Sequence, residues 1–334
     1  MINIGIIGYG YWGPNIVRNF SGLEGARVTS ICDGNQNSLN RARKSYPNTT
    51  ITQVAGDILN STEIDAVAVI TPVSTHFELA KKALENGKHV FVEKPFTATA
   101  AQAEELIGLA EQKKLTIMVD HTFLFTGAVK KIKQHIEKKT LGELYYYDSV
   151  RVNLGLFQHD VNVIWDLAAH DFAIMDHLVE ERPVAVSACG KAHVSDMEDT
   201  AFVTLQFNNN MIAHFNLNWL SPIKVRTTRI GGEKKMLVWN DLEADEKIKI
   251  YDKGVEVKSK EATYKMLVNY RSGDMYAPRV EQIEALRMET EYFVQCVNNS
   301  ETPINDGHAG LRVVRMLEAC SQSLKMNGQQ VKLT

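Results

Sequence analysis

Three groups of residues in this chain combine types and spacings that can do chemistry. The first is Gly8-x-Gly10-x-x-Gly13, directly after the apolar run Ile4 to Ile7. Glycines at those positions allow a tight turn, a close backbone approach to a pyrophosphate and close packing of the next helix on its strand. The N-terminus of that helix adds N–H groups and positive dipole. Asp33, after the second apolar run Arg27 to Cys32, stands where an acid can accept hydrogen bonds from a ribose. The second group is a pair of loops, Thr71-Pro72-Val73-Ser74-Thr75-His76 and Glu93-Lys94-Pro95, each following a strand-like run. The third is Asp166-Leu167-Ala168-Ala169-His170, whose acid and imidazole share one face of a helix. An Asp beside a His orients the ring and favours its protonated form, which suits a general acid/base near neutral pH.

The elements that must position these groups fall into two patterns. Up to about residue 122, strand-like runs (Ile4 to Ile7, Arg27 to Cys32, Asp65 to Ile70, His89 to Val92, Leu115 to Val119) alternate with helical segments such as Tyr11 to Phe20, Phe77 to Asn86 and Ala98 to Lys113. That alternation predicts a parallel, doubly wound α/β sheet, the Rossmann arrangement. Ligands bind along the carboxyl ends of such strands, so Thr71, His76, Glu93 and Lys94 are expected beside Gly10. An ordinary reading also stands, with Lys94 a solvated loop cation and His76 a helix-start residue.

From residue 123 onward strands dominate. Ala201, Val203, Leu205 and Phe207 alternate with Phe202, Thr204 and Gln206, and Asn208-Asn209-Asn210 turns the chain into a second alternating run from Met211 to Trp219. This predicts a hairpin in an open, mainly antiparallel sheet. A helix is expected near Val161 to Leu178, with two more at Arg279 to Val297 and Gly310 to Lys325. The expected organisation is therefore a cofactor domain over 1–122 and an α+β domain for substrate binding and oligomerisation over 123–334.

Composition narrows the partners. A formal net charge of −3, with signs mixed along 334 residues, offers no basic stripe for nucleic acid or an anionic membrane. The four cysteines, Cys32, Cys189, Cys296 and Cys320, are far apart and show neither metal-site spacing nor a disulfide framework. A metal beside Asp166 and His170 needs a third ligand, and His177 lies nearly two turns away, so no metal is expected. With no leader-like segment and no apolar run near the roughly 20 residues of a membrane span, a cytoplasmic protein is expected.

Together, the glycine fingerprint, the Thr71-Pro72-x-x-x-His76 loop, Glu93-Lys94-Pro95 and Asp166-x-x-x-His170 resemble, in order and spacing, the glucose–fructose oxidoreductase/inositol dehydrogenase/MocA (Gfo/Idh/MocA) family over nearly the whole chain. The resemblance implies an NAD-dependent dehydrogenase with the nicotinamide between the two domains. Lys94 then resembles the lysine that hydrogen-bonds the reacting hydroxyl, His170 the acid/base that takes its proton, and Asp166 the polar partner that helps hold substrate and histidine. Gly8, Gly10, Tyr11, Trp12, Gly13, Asp33, Thr71, Pro72, His76, Glu93, Lys94 and His121 form the expected cofactor set. Arg151, Asn153, Asp166, His170 and Lys94 form the substrate set, Arg151 and Asn153 being placed at the end of the second domain's first strand. Arg271 and Arg279, flanking a loop with Gly273, are thinner candidates for a diphosphate.

Gly10-Tyr11-Trp12-Gly13-Pro14-Asn15, Trp165 to Asp171 and Asp306-Gly307-x-x-Gly310-Leu311-Arg312 look most like the branch with UDP-N-acetylglucosaminuronate dehydrogenases. That implies oxidation of a secondary alcohol of a nucleotide-linked sugar, such as a UDP-N-acetylhexosaminuronate at C3, by a homo-dimer or homo-tetramer. The chain departs from many sugar-oxidising members in carrying Asn162-Val163-Ile164-Trp165 before the aspartate and Asp120-His121-Thr122-Phe123 in place of an arginine-containing loop. Alternatives are a dinucleotide-binding sensor without turnover, an NAD-using glycosidase of the same family, and a dehydrogenase of a free sugar or inositol.

Asp33 makes NADH the preferred cofactor over NADPH, because a carboxylate repels a 2′-phosphate and neither Asn35 nor Gln36 compensates it. Titration with the two dinucleotides checks this, and Asp33→Ala is expected to narrow the gap.

Overall fold

The structure is a computed structural model that describes residues 1–155, 157–158, 160–256 and 269–333. Short β-branched runs buried on both faces make the first sheet, as parallel strands flanked by helices require. Its strands are β1 (Ile2–Ile7), β2 (Ala26–Cys32), β3 (Thr50–Thr52), β4 (Ala66–Val69), β5 (His89–Glu93) and β6 (Ile117–Asp120). All run parallel, in the order β3-β2-β1-β4-β5-β6. Ile4, Ile6, Val67, Val69, Val90 and Val92 are fully buried. The strand order reverses direction between β1 and β4, so the Gly8 loop and the Thr71 loop flank the switch point where ligands of such sheets bind.

The chain divides into two compact units, 1–125 with 284–318, and 126–283 with 319–334. The sequence reading assigned everything after 122 to the second domain, whereas the structure packs residues 284–318 with the first. The reason is apolar complementarity. Phe293, on helix Ala285–Asn299, meets Phe20 and Phe91 with ring centroids 6.0 and 5.6 Å apart, and Phe20 meets Phe91 at 5.6 Å, all edge to face. The expected helix start at Arg279 falls at Ala285 instead.

In the second unit the strands are β7 (Leu144–Leu154), β8 (Pro183–Lys191), β9 (Thr200–Phe207), β10 (Ile212–Asn218), β11 (Leu220–Gly232), β12 (Met236–Asn240), β13 (Ile248–Glu256), β14 (Asn269–Tyr276) and β15 (Val331–Lys332). Among the described residues they form one mixed, mainly antiparallel sheet in the order β14-β13-β12-β11-β7-β10-β9-β8-β15, with β7 and β10 parallel. The β9–β10 hairpin has the alternation its sequence prescribes: Ala201, Val203, Leu205, Ala213, Phe215 and Leu217 are buried, while Phe202, Gln206 and Ile212 point to the open face. Helix Ala169–Leu178 covers the buried face, with Phe172 edge-on to Phe215 at 4.9 Å. Gly273 lies inside β14 and not in a loop, which corrects its sequence reading. No helix among the described residues is long and apolar enough to cross a membrane.

Phe293→Ala is expected to destabilise the first unit by about 3–5 kcal/mol, the usual cost of removing a buried aromatic ring, measured by denaturant unfolding with an NADH-binding readout.

Candidate functional site

Two of the three glycines in the loop after β1 are required by the protein's own backbone. Gly8 has φ of +105°, and a Cβ there would stand 2.1 Å from the Ile70 carbonyl oxygen. A Cβ on Gly13 would stand 2.4 Å from the Gly8 carbonyl oxygen. At Gly10 a Cβ would meet no atom within 4 Å, so the middle glycine leaves open the approach a pyrophosphate needs. Helix Gly13–Ser21 starts without a side-chain cap and with Pro14 in its first turn, leaving its N-terminal dipole available to an anion. Asp33 accepts the Tyr9 N–H at 2.6 Å and the Asn35 N–H at 2.7 Å, one on each oxygen, and each oxygen keeps a lone pair for a ribose hydroxyl. This cradle fits NAD.

Two aromatic residues of the loop diverge. Tyr11 is 85% exposed. Trp12 is half-buried and donates its indole N–H to Asp120 Oδ2 at 3.0 Å, which ties the loop to the end of β6.

The loops after β4 and β5 are joined by His76. Its ring is buried, with Nδ1 2.9 Å from the Pro95 carbonyl oxygen and Nε2 2.7 Å from the Thr71 carbonyl oxygen. The structure thus makes His76 the fastener between the loops and not a side chain facing the cofactor edge. Thr71 accepts a hydrogen bond from the Thr75 hydroxyl at 2.7 Å, and Pro72 is exposed. Glu93 and Lys94 are half-buried at the end of β5. His121, just past β6, is buried, and neither ring nitrogen has a hydrogen-bond partner among the described residues. Burial, reinforced by the Lys94 ammonium, pushes its pKa down to about 3. A ring so hard to protonate is a poor proton acceptor, though it can still donate one N–H.

In the second unit Asp166 lies in a π-helical turn, Ile164–Ala168, which runs into helix Ala169–Leu178 bearing His170. The sequence predicts a single helix near Val161 to Leu178 here, and the structure divides it into this turn and the helix that follows. π turns are rare and concentrate at functional sites, because the extra residue per turn re-aims side chains. Asp166 Oδ2 accepts the Trp219 indole N–H at 3.2 Å, and the Trp165 indole N–H reaches Ser321 at 2.8 Å. Both Asp166 and His170 are half-buried.

Arg151 is corrected by its surroundings. It is buried within β7 and not at its end, and it donates to Asp171 from Nε at 3.0 Å to each carboxylate oxygen and from a terminal nitrogen at 2.7 Å. The arginine read as a substrate contact instead pins the residue after His170 to the sheet. Asn153 is half-buried near the end of the same strand. Arg271 bonds Asp252 at 3.0 Å on the neighbouring strand, and Arg279 lines a cavity of about 1120 Å³ together with Asp245, Glu246 and Glu281. Sequence reasoning missed Asp120, Asp171 and Trp219. Acids and a tryptophan at such positions carry no local signal of the partners they find.

Residues 2–121 match the family described as an oxidoreductase family with an NAD-binding Rossmann fold, and residues 133–333 match its C-terminal alpha/beta domain. The chain belongs to the Gfo/Idh/MocA oxidoreductase family. It is 29% identical over 260 residues to UDP-N-acetylglucosamine 3-dehydrogenase of Acidithiobacillus ferrooxidans, covering 75% of this chain and 76% of that one. Against scyllo-inositol 2-dehydrogenase (NAD(+)) of Bacillus subtilis it is 23% identical over 319 residues, 91% and 87% of the two chains. An oxidoreductase from Agrobacterium radiobacter, solved in complex with NAD+, L-tartaric acid and magnesium, superposes with a TM-score of 0.83 at 15% identity over 99% and 98% of the two chains. This oxidoreductase is therefore an NAD-dependent enzyme with a Rossmann unit and a mainly antiparallel second sheet.

Removing one partner of the buried pair, as in Asp171→Ala, strands the Arg151 guanidinium in the interior and is expected to cost about 3–5 kcal/mol. The double variant Arg151→Met/Asp171→Leu should lose less, and a thermal-unfolding double-mutant cycle measures the difference.

Proposed function

We propose that this oxidoreductase transfers hydride between NAD and a secondary alcohol of a nucleotide-linked sugar, such as the C3 hydroxyl of a UDP-N-acetylhexosaminuronate. The reading is carried by the 29% identity to a UDP-N-acetylglucosamine 3-dehydrogenase over three quarters of both chains. The presence of Lys94, Asp166 and His170 in the family's order supports it. Bound NAD supplies the hydride acceptor. Lys94 donates a hydrogen bond to the reacting hydroxyl and stabilises the alkoxide character that develops as hydride leaves its carbon. His170 takes the hydroxyl proton, and in reverse returns it to the carbonyl oxygen. Asp166, held by Trp219, helps orient His170 and the sugar, and Asn153 contacts a sugar hydroxyl.

On the cofactor side, Gly8, Gly10 and Gly13 admit the pyrophosphate and Asp33 holds the adenosine ribose. Thr71 and Glu93 border the cofactor, and neutral His121 donates an N–H toward it. We further propose a cytoplasmic enzyme that assembles as a homo-dimer or homo-tetramer through the open face of the second sheet. That face carries exposed Phe202 and Ile212 next to the Asp148–His214 and Asp148–Arg229 pairs.

One observation favours a second reading. Arg151 and Arg271, two of the three arginines considered for a diphosphate, are already engaged by Asp171 and Asp252. A free polyol or monosaccharide, as in the inositol dehydrogenase relative, would need no such cations.

A panel of UDP-, GDP- and TDP-sugars, with free sugars and inositols, assayed for NADH formation separates the two. Turnover on inositol with every nucleotide sugar silent overturns the nucleotide reading. NADH binding without turnover on any sugar would indicate a sensor, and a cleaved glycoside without net cofactor change a glycosidase. Lys94→Ala and His170→Ala are each expected to keep NADH binding and to lose about a hundredfold to ten-thousandfold in turnover.

A further inference from the structure

Inside the first unit, below the carboxyl ends of β5 and β6, two carboxyl groups face each other. Asp120, the last residue of β6, is 1% exposed, and Glu289, on helix Ala285–Asn299, is 0% exposed. Each has one oxygen satisfied by a neighbour. Asp120 Oδ2 accepts the Trp12 indole N–H at 3.0 Å, and Glu289 Oε1 accepts the Asn305 amide N–H at 2.9 Å. Asn305 donates as well to the Val119 carbonyl at 2.6 Å, which fixes it to β6. The other two oxygens, Asp120 Oδ1 and Glu289 Oε2, have no hydrogen-bond partner among the described residues, and the two buried carboxyls lie near enough to act on each other, with Thr122 beside Glu289.

Two ionised carboxylates cannot satisfy one another, and in a buried site they repel strongly. A single proton held between them turns two acceptors into a donor and an acceptor. Burial first, and then the neighbouring Asp120 charge, hold the Glu289 carboxyl well above the usual carboxylate range. A proton held between the two acids would join the observed donors into one chain, with Asn305 donating to Glu289 on one side and Trp12 to Asp120 on the other.

Trp12 is the cap residue at the start of helix Gly13–Ser21, between Gly10 and Gly13. We infer that the proton shared by Glu289 and Asp120 positions Trp12, and through it the pyrophosphate-binding turn, making both acids positioning residues for NAD that act through the indole. The charged groups acting on Glu289 are Asp120 from β6 and Glu93 from the end of β5, with Thr122 and Asn305 as neutral polar neighbours. Because the Glu289 pKa is raised, the arrangement holds below that raised value and is lost as pH rises through it.

The test is the NADH dissociation constant of the purified full chain, measured by fluorescence titration from about pH 6.5 to pH 9.5, with circular dichroism confirming the fold. Wild type is expected to bind progressively more weakly toward alkaline pH. Glu289→Gln donates to Asp120 and accepts from Asn305 without a titrating proton, so it should keep neutral-pH affinity within about twofold and lose the alkaline weakening. Glu289→Leu removes the donor and should weaken NADH about tenfold at neutral pH, in line with an orphaned buried carboxylate. Should that variant fail to fold, Asp120→Asn, whose amide donates to Glu289 while its carbonyl accepts from Trp12, must behave like Glu289→Gln. Trp12→Phe cuts the link and should bind weakly with no alkaline step. The inference is overturned if Glu289→Gln, Asp120→Asn or Trp12→Phe retains the alkaline weakening, or if folded Glu289→Leu binds NADH as wild type does.

Discussion

A buried guanidinium–carboxylate pair, Arg151 with Asp171, is the constraint around which the second unit's chemistry is arranged. Taking both charges out of water carries a large desolvation cost, which only bidentate geometry with three short hydrogen bonds offsets. The reward is direction. Asp171 adjoins His170, so fixing one to the central strand β7 fixes where the other starts, and the π turn before it sets the offset to Asp166. A residue on a helix locked to a sheet is held far more tightly than the same residue on a loop.

The first unit uses the same device with different groups. Asp120 precedes His121 as Asp171 follows His170, and it too is a buried acid at the end of a regular element. Its observed partner is the Trp12 indole instead of a guanidinium, and in the arrangement proposed above a proton shared with Glu289, not a cation, keeps the local charge low. That choice keeps the neighbourhood of Lys94 and the neutral His121 ring free of an additional fixed positive charge. In both units the residue read as chemical is held by a polar neighbour in sequence that is itself immobilised.

What could be read from the sequence was what is encoded locally. The glycine fingerprint, Asp33, the alternating runs of β9 and β10, and the parallel order of the first sheet follow from turn chemistry and periodicities of a few residues. Polar partnerships inside the core were not legible, because Arg, Asp and Glu in a sequence ordinarily mean surface. Arg151 looked like a cation available to a substrate, and only its fold partner twenty positions away shows otherwise. Trp12 and Asp120 are 108 positions apart, and Asn305 and Val119 are 186 apart, distances over which no periodicity carries information. His76 was recognised as a residue of interest, but its two carbonyl contacts depend on a loop from another strand.

The return of residues 284–318 to the first unit also governs the order in which the protein is completed. Domains tend to fold as the chain is synthesised, those nearest the N-terminus first. Here β1 to β6 are made early, but Phe293, which closes their aromatic cluster, and Asn305 with Glu289, which fasten to the Val119 carbonyl at the end of β6, are made only after the whole of 126–283. The unit that begins first on the ribosome is therefore closed only after 126–283, the larger part of the second unit, has been synthesised. Glu289, the second acid beside the loop's anchor Asp120, is among the last interior residues to arrive.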